Sequence, residues 1–392
     1  MASIPEIDAV LRRAVNAGDT PGVVALAATP EETVYEGALG RRDLAQPGEM
    51  TLDTIFRIAS MTKAVTSVAA MQLVEAGKLD LDGPIARVLP ELASPHVLSG
   101  FDDKGKPRLR PARRAITLRH LLTHTAGFGY EMLSSELIRY AQRTGTPSIG
   151  TGERAALQLP LLFDPGERWQ YGISIDWAGQ AVERASGKPL DAYFREHIFA
   201  PLGMADTSFA PTPAQTVRLA RVHQRRKDGG LEAITLDPPP PHPEFWSGGG
   251  GLYSTGPDYL RFLRMVLNHG EFGGARLLRP ETVAAMATNQ TGDLEAGIMR
   301  TVMPERTNDF ALFPEMRCQW GLGWMITPQP GPNGRGAGSL TWGGIFNSYY
   351  WIDPARRVAA VILAQFLPFA DRRALALASA FEQALYRKLA GG

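Results

Sequence analysis

The stretch Phe56-Arg57-Ile58-Ala59-Ser60-Met61-Thr62-Lys63-Ala64-Val65 decides how the rest of the chain is interpreted. Small and apolar residues continue beyond it and predict a helix over residues 60–76. Ser60 and Lys63 are three positions apart and would share one face of that helix. A hydroxyl would then lie beside an amine at a helix N-terminus, where backbone N–H groups point outward. A nucleophile, a base and oxyanion donors together indicate an activated serine.

The same Ser-x-x-Lys pattern also fits a helix N-cap followed by a solvated lysine. The composition of the helix favours the catalytic alternative, because small and apolar side chains surround the lysine on all sides. Such a helix is expected to be buried, and a buried lysine is costly unless it is paired or used. We therefore expect Lys63 to be functional.

Composition limits the class of protein. The 392 residues exceed the usual limit of one hydrophobic core, which predicts two lobes or an insertion. A net charge of +1 gives no support for a nucleic-acid partner. A single cysteine, Cys318, cannot form an internal disulfide. The chain lacks a signal-peptide pattern and any apolar stretch of about 18–20 residues, so we expect a cytoplasmic protein with no membrane partner.

The two ends of the chain predict one shared sheet. The fold class is α+β: an antiparallel sheet flanked by helices, formed by residues 1–84 and 316–392, with a mostly helical lobe inserted over residues 85–315. Strands are predicted at 22–28, 33–39, 320–327, 338–342, 348–352 and 358–365. Helices are predicted at 4–17, 60–76, 117–123, 131–143, 174–186, 190–199 and 257–269, and at the C-terminus, with Leu377, Phe381, Leu385 and Leu389 on one face.

Three patterns in the middle of the chain are assigned structural roles. His120 and His124 lack the glutamate of a zinc hydrolase motif, so we expect them to pack in the interior and no metal to bind. Gly248–Gly251 lacks the lysine of a phosphate-binding loop and predicts a tight turn. The proline-rich residues 236–243 are predicted to be extended.

Further motifs occur in the order seen in the serine β-lactamase and penicillin-binding-protein superfamily. Tyr171 follows Ser60-x-x-Lys63, and Trp342-Gly343-Gly344 lies near the C-terminal end. Leu121–Gly127, which reads Leu-Leu-Thr-His-Thr-Ala-Gly, resembles a stretch common in the class C branch, as does Pro201–Met204. The resemblance to a β-lactamase-like fold covers nearly the whole chain.

Within that superfamily the chain looks most like the family VIII carboxylesterases. Class C β-lactamases carry Tyr-x-Asn, but Ile173 stands where the asparagine should be. They also carry Lys-Thr-Gly, whereas Trp342-Gly343-Gly344 is a form often seen in family VIII esterases. The Gly-x-Ser-x-Gly motif of α/β-hydrolases does not occur in the sequence.

The resemblance implies a role for each matched residue and places the site in the cleft between the two lobes. Ser60 would be the nucleophile, Lys63 its general base, and Tyr171 a proton relay to the leaving group. The backbone N–H groups of Ser60 and Ile345 would form the oxyanion hole. Trp342, Gly343, Gly344 and Ile173 would contact the substrate, and no cofactor would be needed.

The predicted activity is hydrolysis of short- to medium-chain carboxylic esters through an acyl-enzyme on Ser60, with a small-molecule ester as the partner. Two alternatives remain open. The first is an acyltransferase on the same fold, which hands the acyl group to an alcohol. The second is a β-lactamase or penicillin-binding-type peptidase. The natural substrate, stereopreference and oligomeric state are not specified by these motifs.

Overall fold

The structure is a computed structural model that describes residues 4–236, 238 and 240–391. The helices are α1 Pro5–Asn16, α2 Thr62–Glu75, α3 Leu118–Leu122, α4 Ser135–Thr144, α5 Ser174–Ser186, α6 Leu190–Phe194, α7 Ala200–Leu202, α8 Pro213–Thr216, α9 Gly256–Leu267, α10 Pro280–Met286 and α11 Arg372–Ala390. The strands are β1 Gly22–Ala28, β2 Thr33–Gly40, β3 Phe56–Arg57, β4 His96–Phe101, β5 Pro107–Pro111, β6 His223–Arg225, β7 Leu231–Ala233, β8 Tyr253–Ser254, β9 Glu271–Phe272, β10 Ala275–Arg276, β11 Gln319–Trp320, β12 Met325–Thr327, β13 Ser339–Gly344, β14 Ser348–Asp353, β15 Val358–Leu363 and β16 Phe366–Leu367.

A seven-stranded antiparallel sheet joins the two ends of the chain. Its strand order is β11-β12-β13-β14-β15-β1-β2. Strands β1 and β15 are the point of contact, with Val24 opposite Leu363 and Ala28 opposite Ala359. All seven residues of β1 are buried, as expected for a strand covered on both faces. The predicted α+β class and the antiparallel sheet shared by the two chain ends are confirmed.

The sheet has one strand more than the sequence pattern predicted. Residues 320–327 were predicted as a single strand, but they form β11, a tight turn and β12. The turn contains Gly323 at φ +108°, where a Cβ atom would lie 2.3 Å from Ser67 Oγ. Only glycine fits such a position. The turn was missed because the residues on both sides of it are mostly apolar, which is typical of one continuous strand.

Helices cover both faces of the sheet. Helices α1 and α11 pack together on one face, where Phe381 contacts Tyr35 and Trp351. Leu389, predicted to share that apolar face, is 37% exposed because it lies in the last turn of α11.

Helix α9 covers the other face, packing on β1, β14 and β15. It lies within residues 85–315, so chain position alone assigned it to the helical lobe. The prediction missed this placement because a 12-residue helix with an apolar face shows the same periodicity against either lobe.

Helix α2 connects the sheet to the helical part. Most of its side chains are buried, including Lys63 and Thr66, and it packs against α5. A helix that is apolar on all sides must be enclosed by other elements. The turn before α2 also packs against β13, so the start of α2 lies where the sheet meets the helices.

Short strand pairs outside the main sheet are β3–β8, β4–β5, β9–β10 and β6–β7 with β16. Asp237 and Pro239 of the segment predicted to be extended lie outside the described residues. In the described part of the chain, no helix is long and apolar enough to cross a bilayer.

Candidate active site

Ser60 lies in a tight turn between β3 and α2. The preceding residue, Ala59, has φ +45°, a left-handed conformation that is rare for a residue with a side chain. A 3₁₀ turn over Ala59–Met61 then leads into α2. Strained backbone of this kind persists where the surroundings enforce it, often at functional sites. Strand β13 packs closely on this turn, since a Cβ atom on Gly344 would lie 2.4 Å from the Ile58 carbonyl oxygen.

Lys63 is 1% exposed, and its amine has three oxygen neighbours. Lys63 Nζ lies 3.3 Å from Ser60 Oγ, so the two side chains meet as predicted. The α-helix begins only at Thr62, however, and Ser60 lies in the 3₁₀ turn before it rather than on the predicted helix 60–76. The same nitrogen donates to the Tyr130 hydroxyl at 3.0 Å and to the Gly249 carbonyl at 2.6 Å. Three neutral oxygens therefore surround the buried amine.

Tyr130 is a site residue that the sequence motifs missed. It follows a glycine-rich bend after α3, and no spacing relates it to Ser60 or Tyr171. Burial raises the pKa of the Tyr130 phenol well above its ordinary value, with Asp176 and Tyr171 adding to the rise. Tyr130 is therefore a neutral phenol at physiological pH, able both to accept and to donate a hydrogen bond.

Tyr171 is oriented by Trp342. The indole N–H of Trp342 donates to the Tyr171 hydroxyl oxygen at 3.0 Å, and Lys63 Nζ lies 4.7 Å from the centre of the Tyr171 ring. The N–H of Trp342 is therefore occupied by a protein group. Within the described residues the Tyr171 hydroxyl has no acceptor for its own proton, which leaves that proton available to a substrate.

Aromatic rings and His124 support Tyr171 from behind. His124 is fully buried, and its ring centre lies 4.8 Å from that of Tyr171 and 5.2 Å from that of Trp320. Burial lowers the pKa of His124 well below its ordinary value, so its imidazole is neutral. His120 instead caps α3, where its Nδ1 accepts from the Thr117 N–H. The expected interior packing holds for His124, but neither of its ring nitrogens has a hydrogen-bond partner among the described residues. His120 forms the expected hydrogen bond but is only partly buried.

A narrow, mostly apolar cavity opens above Ser60. It encloses about 330 Å³, part of which is open to solvent. Its lining consists of Ser60, Met132, Leu133, Tyr171, Met299, Thr307, Trp342, Gly343, Ile345 and Phe369.

The cavity brings together most of the residues that the motifs singled out. Ser60, Tyr171, Trp342, Gly343 and Ile345 all line it. Two predicted contacts lie outside that lining. Gly344 is buried against the turn before Ser60, and Ile173 is 1% exposed in the hydrophobic core at the start of α5. The substrate contacts of these two residues and the backbone oxyanion hole stay predictions.

The outer wall of the cavity comes from a segment that showed no motif. Met299 and Thr307 belong to this segment. Two backbone hydrogen bonds connect it to neighbouring loops. The Val302 N–H donates to the Met132 carbonyl at 3.0 Å, and the Asn308 N–H donates to the Phe369 carbonyl at 2.9 Å. These contacts are long-range in sequence, so no local pattern could predict them.

Metal-ligating side chains do not cluster in the part of the chain that the structure describes. Cys318 is buried, and burial raises the pKa of its thiol to about 11, far from the range of a reactive thiolate.

The fold and this constellation define an enzyme of the serine hydrolase and acyltransferase kind, built on the β-lactamase fold. The sequence profile of the Beta-lactamase family matches residues 7–385, and the chain belongs to that family. It is 34% identical to monacolin J acid methylbutanoyltransferase from Aspergillus terreus, over 98% of this chain and 96% of that protein. It is 32% identical to lovastatin esterase from Penicillium rubens, over 97% of this chain and 98% of the relative.

A solved structure shows the same similarity at the level of the fold. The chain superposes on unliganded simvastatin synthase from Aspergillus terreus with a TM-score of 0.86 and 33% identity, covering 100% of both chains. Relatives with transferase and esterase names thus share one fold with this protein over its full length.

Proposed function

We propose that the protein is a carboxylesterase of the family VIII type, which hydrolyses short- to medium-chain esters through an acyl-enzyme on Ser60. The observation that carries the proposal is the 3.3 Å approach of Lys63 Nζ to Ser60 Oγ at the base of an apolar cavity. The similarity to a protein named as an esterase supports the same activity.

The contacts of Lys63 suit it to accept the serine proton. A neutral amine has two N–H groups and one lone pair. The carbonyl of Gly249 and the hydroxyl of Tyr130 can accept both N–H groups, at 2.6 and 3.0 Å. The lone pair is then left facing Ser60 Oγ, in the direction required for general-base catalysis.

The acylation step follows from these positions. Ser60 Oγ attacks the ester carbonyl carbon as its proton moves to Lys63, and the carbonyl oxygen becomes an oxyanion. The backbone N–H groups of Ser60 and Ile345 are our candidates to stabilise that charge, and one such donor typically contributes about 10²–10³ in rate. Collapse of the intermediate expels the alkoxide and leaves the acyl group on Ser60.

Tyr171 is the candidate proton donor to the departing alkoxide. Its oxygen already accepts from Trp342, so its proton can point into the cavity. The tyrosinate left at Tyr171 then takes the proton from Lys63, whose amine lies beside the Tyr171 ring, so both groups return to their starting states. Water then attacks the acyl-enzyme by the reverse of the same proton transfers.

The cavity supports a preference for neutral, apolar substrates. Met132, Leu133, Met299 and Phe369 provide apolar surface for an acyl chain, which gains about 25 cal/mol for each Å² buried. The lining residues include no lysine or arginine to pair with the carboxylate of a β-lactam. Loss of a charge-assisted contact typically costs about 1.5–3 kcal/mol.

A substrate comparison tests the proposal. We expect kcat/KM for p-nitrophenyl butyrate to exceed that for a chromogenic cephalosporin by at least about tenfold, in line with the lost contact. Longer acyl chains should be cleaved less well once they exceed the cavity. Equal efficiency on the cephalosporin would show a β-lactamase, and stoichiometric acylation without turnover would show a penicillin-binding module.

Acyl transfer to an alcohol is the second candidate, favoured by the 34% identity to a methylbutanoyltransferase over nearly the whole chain. Both activities share the acyl-enzyme and differ only in the acceptor. Adding an alcohol to p-nitrophenyl butyrate turnover separates them. A transferase should divert most of the acyl group into a new ester, whereas an esterase should still release mainly butyrate.

A further inference from the structure

Asp176 is a buried carboxylate close to Lys63 with no role in the mechanism above. It lies in the first turn of α5 and is fully buried. Its Oδ1 accepts from the Ser247 hydroxyl at 2.6 Å and from the Gly249 N–H at 2.9 Å. Its Oδ2 is buried without a hydrogen-bond partner among the described residues. A buried carboxylate this poorly satisfied is costly, so its presence needs a physical reason.

A single residue connects that carboxylate to the catalytic amine. The N–H of Gly249 donates to Asp176, while its carbonyl accepts from Lys63 Nζ. A Cβ atom on Gly249 would lie 2.3 Å from Asp176 Oδ2, so only glycine allows this close approach. The neighbouring carbonyl of Gly248 accepts from Thr66 Oγ1 at 2.6 Å, which holds the loop on α2. The direction of the Gly249 carbonyl is thus set from both sides.

Four titratable side chains face Lys63. Asp176 lies in α5, and Tyr171 lies just before that helix. Tyr130 lies just before the 3₁₀ turn at 131–133, and His124 follows α3. The Tyr130 phenol and the His124 imidazole are neutral, as described above. Asp176 is the one carboxylic acid among the four. Burial raises the pKa of Asp176, while the Lys63 charge, the Ser247 hydroxyl and the Gly249 N–H oppose that rise.

We propose that Asp176 is a positioning residue for Lys63: through the Gly249 peptide it directs the amine toward Ser60, and its negative charge favours the protonated lysine. This inference rests on the proposed function, because it assumes that Lys63 accepts the Ser60 proton. The Asp176 charge and the Gly249 peptide together hold the buried amine beside Ser60.

The rate of Ser60 labelling by a fluorophosphonate, measured against pH, tests the proposal. Asp176→Asn keeps the shape and one acceptor but removes the charge. Without that charge the protonated lysine is less favoured, so the acidic limb of the labelling profile should move to lower pH by about one unit. Asp258→Asn is the matched control, because Asp258 is also buried with a raised pKa but bonds to Thr207 and the Asp206 N–H. Its acidic limb should match the wild type.

An unmoved acidic limb in folded Asp176→Asn would overturn the proposal. If that variant does not fold, Ser247→Ala tests the proposal instead, because it removes one of the two donors that hold the Asp176 carboxylate. We expect Ser247→Ala to lower kcat severalfold with little change in KM, and wild-type kcat would overturn the positioning role. Failure of the underlying premise, that Ser60 is an activated nucleophile, is a distinct result, since wild-type protein would then not be labelled at Ser60 at any pH.

Discussion

Two buried clusters in this protein are built from the same kinds of side chain and differ in how these are paired. The first lies between α11 and the sheet and contains Arg335, Glu382, Trp351, Tyr386 and Asp353. Arg335 forms two hydrogen bonds with Glu382, at 3.0 and 2.9 Å. Trp351 donates to the Tyr386 hydroxyl at 3.1 Å, and Tyr386 donates to Asp353 at 2.7 Å. The Tyr386 hydroxyl and the Arg335–Glu382 charges thus have direct partners, although Arg335 Nη1 has no hydrogen-bond partner among the described residues.

The second cluster is the candidate active site, where the corresponding polar groups are not all directly paired. Trp342 donates to the Tyr171 hydroxyl as Trp351 does to Tyr386, but Tyr171 has no carboxylate acceptor among the described residues. Lys63 is a buried basic side chain like Arg335, but a peptide group separates it from Asp176.

The difference shows what a buried polar cluster needs for catalysis. A directly paired guanidinium and carboxylate hold their charges, whereas a lysine bonded to neutral oxygens can give up its proton. A hydroxyl that already donates to a carboxylate cannot donate to a substrate. The C-terminal cluster is therefore suited to stability, and the Ser60 cluster to proton transfer.

The largest expected effect comes from removing the nucleophile. Ser60→Ala should lower ester hydrolysis by on the order of 10⁴-fold or more and abolish fluorophosphonate labelling. The half-buried hydroxyl does little for packing, so the thermal midpoint should stay near that of the wild type. A folded variant that keeps about a tenth of wild-type turnover would refute the assignment of Ser60.

Replacing Lys63, the proposed base, by arginine should lower kcat slightly less than Ser60→Ala does. Lys63→Arg leaves a guanidinium that stays protonated and cannot accept the serine proton, so kcat should fall by about 10²–10⁴-fold. Lys188→Arg is the control, because Lys188 is paired with Glu196 outside the site and should keep full activity. Near-normal activity in Lys63→Arg would mean that this lysine only structures the site.

Breaking the paired cluster should cost stability and leave catalysis intact. Arg335 and Glu382 are 4% and 6% exposed, and Glu382→Gln leaves the guanidinium buried without its counter-charge. Removing one partner of a buried ion pair typically costs about 3–5 kcal/mol. The urea midpoint should therefore fall markedly, while kcat of the folded enzyme stays unchanged. An unaltered midpoint would show that the pair does not hold α11 on the sheet.

The smallest expected effect compares the two tryptophans directly. Trp342→Phe removes the hydrogen bond to Tyr171, worth about 0.5–1.5 kcal/mol, so kcat should fall roughly two- to tenfold. Trp351→Phe removes the equivalent bond to Tyr386 and should lower stability by a similar free energy without changing kcat. Equal kcat values in the two variants would show that the Trp342 hydrogen bond does not orient Tyr171 for catalysis.

Local patterns predicted much of the fold because they record which faces are buried. The alternation and apolar runs near both chain ends predicted β1, β2, β13, β14 and β15 close to their observed bounds. The turn at Gly323 and the docking of α9 on the sheet were missed, since each depends on a neighbour distant in sequence. The Ser60–Lys63 contact was predictable for the opposite reason, as a helix brings residues three apart together.

By itself the sequence determined the antiparallel sheet, the position of the Ser60 helix and the pairing of its serine and lysine. Helical and strand periods are properties of the local backbone, so they can be read before the chain folds. Only the tertiary structure decided that Tyr130 and Gly249 would contact Lys63, that Trp342 would donate to Tyr171, and that Asp176 would lie behind the Gly249 peptide. These contacts join residues from about 70 to 190 positions apart, which no local pattern encodes, and they set the charge and direction of the groups at Ser60.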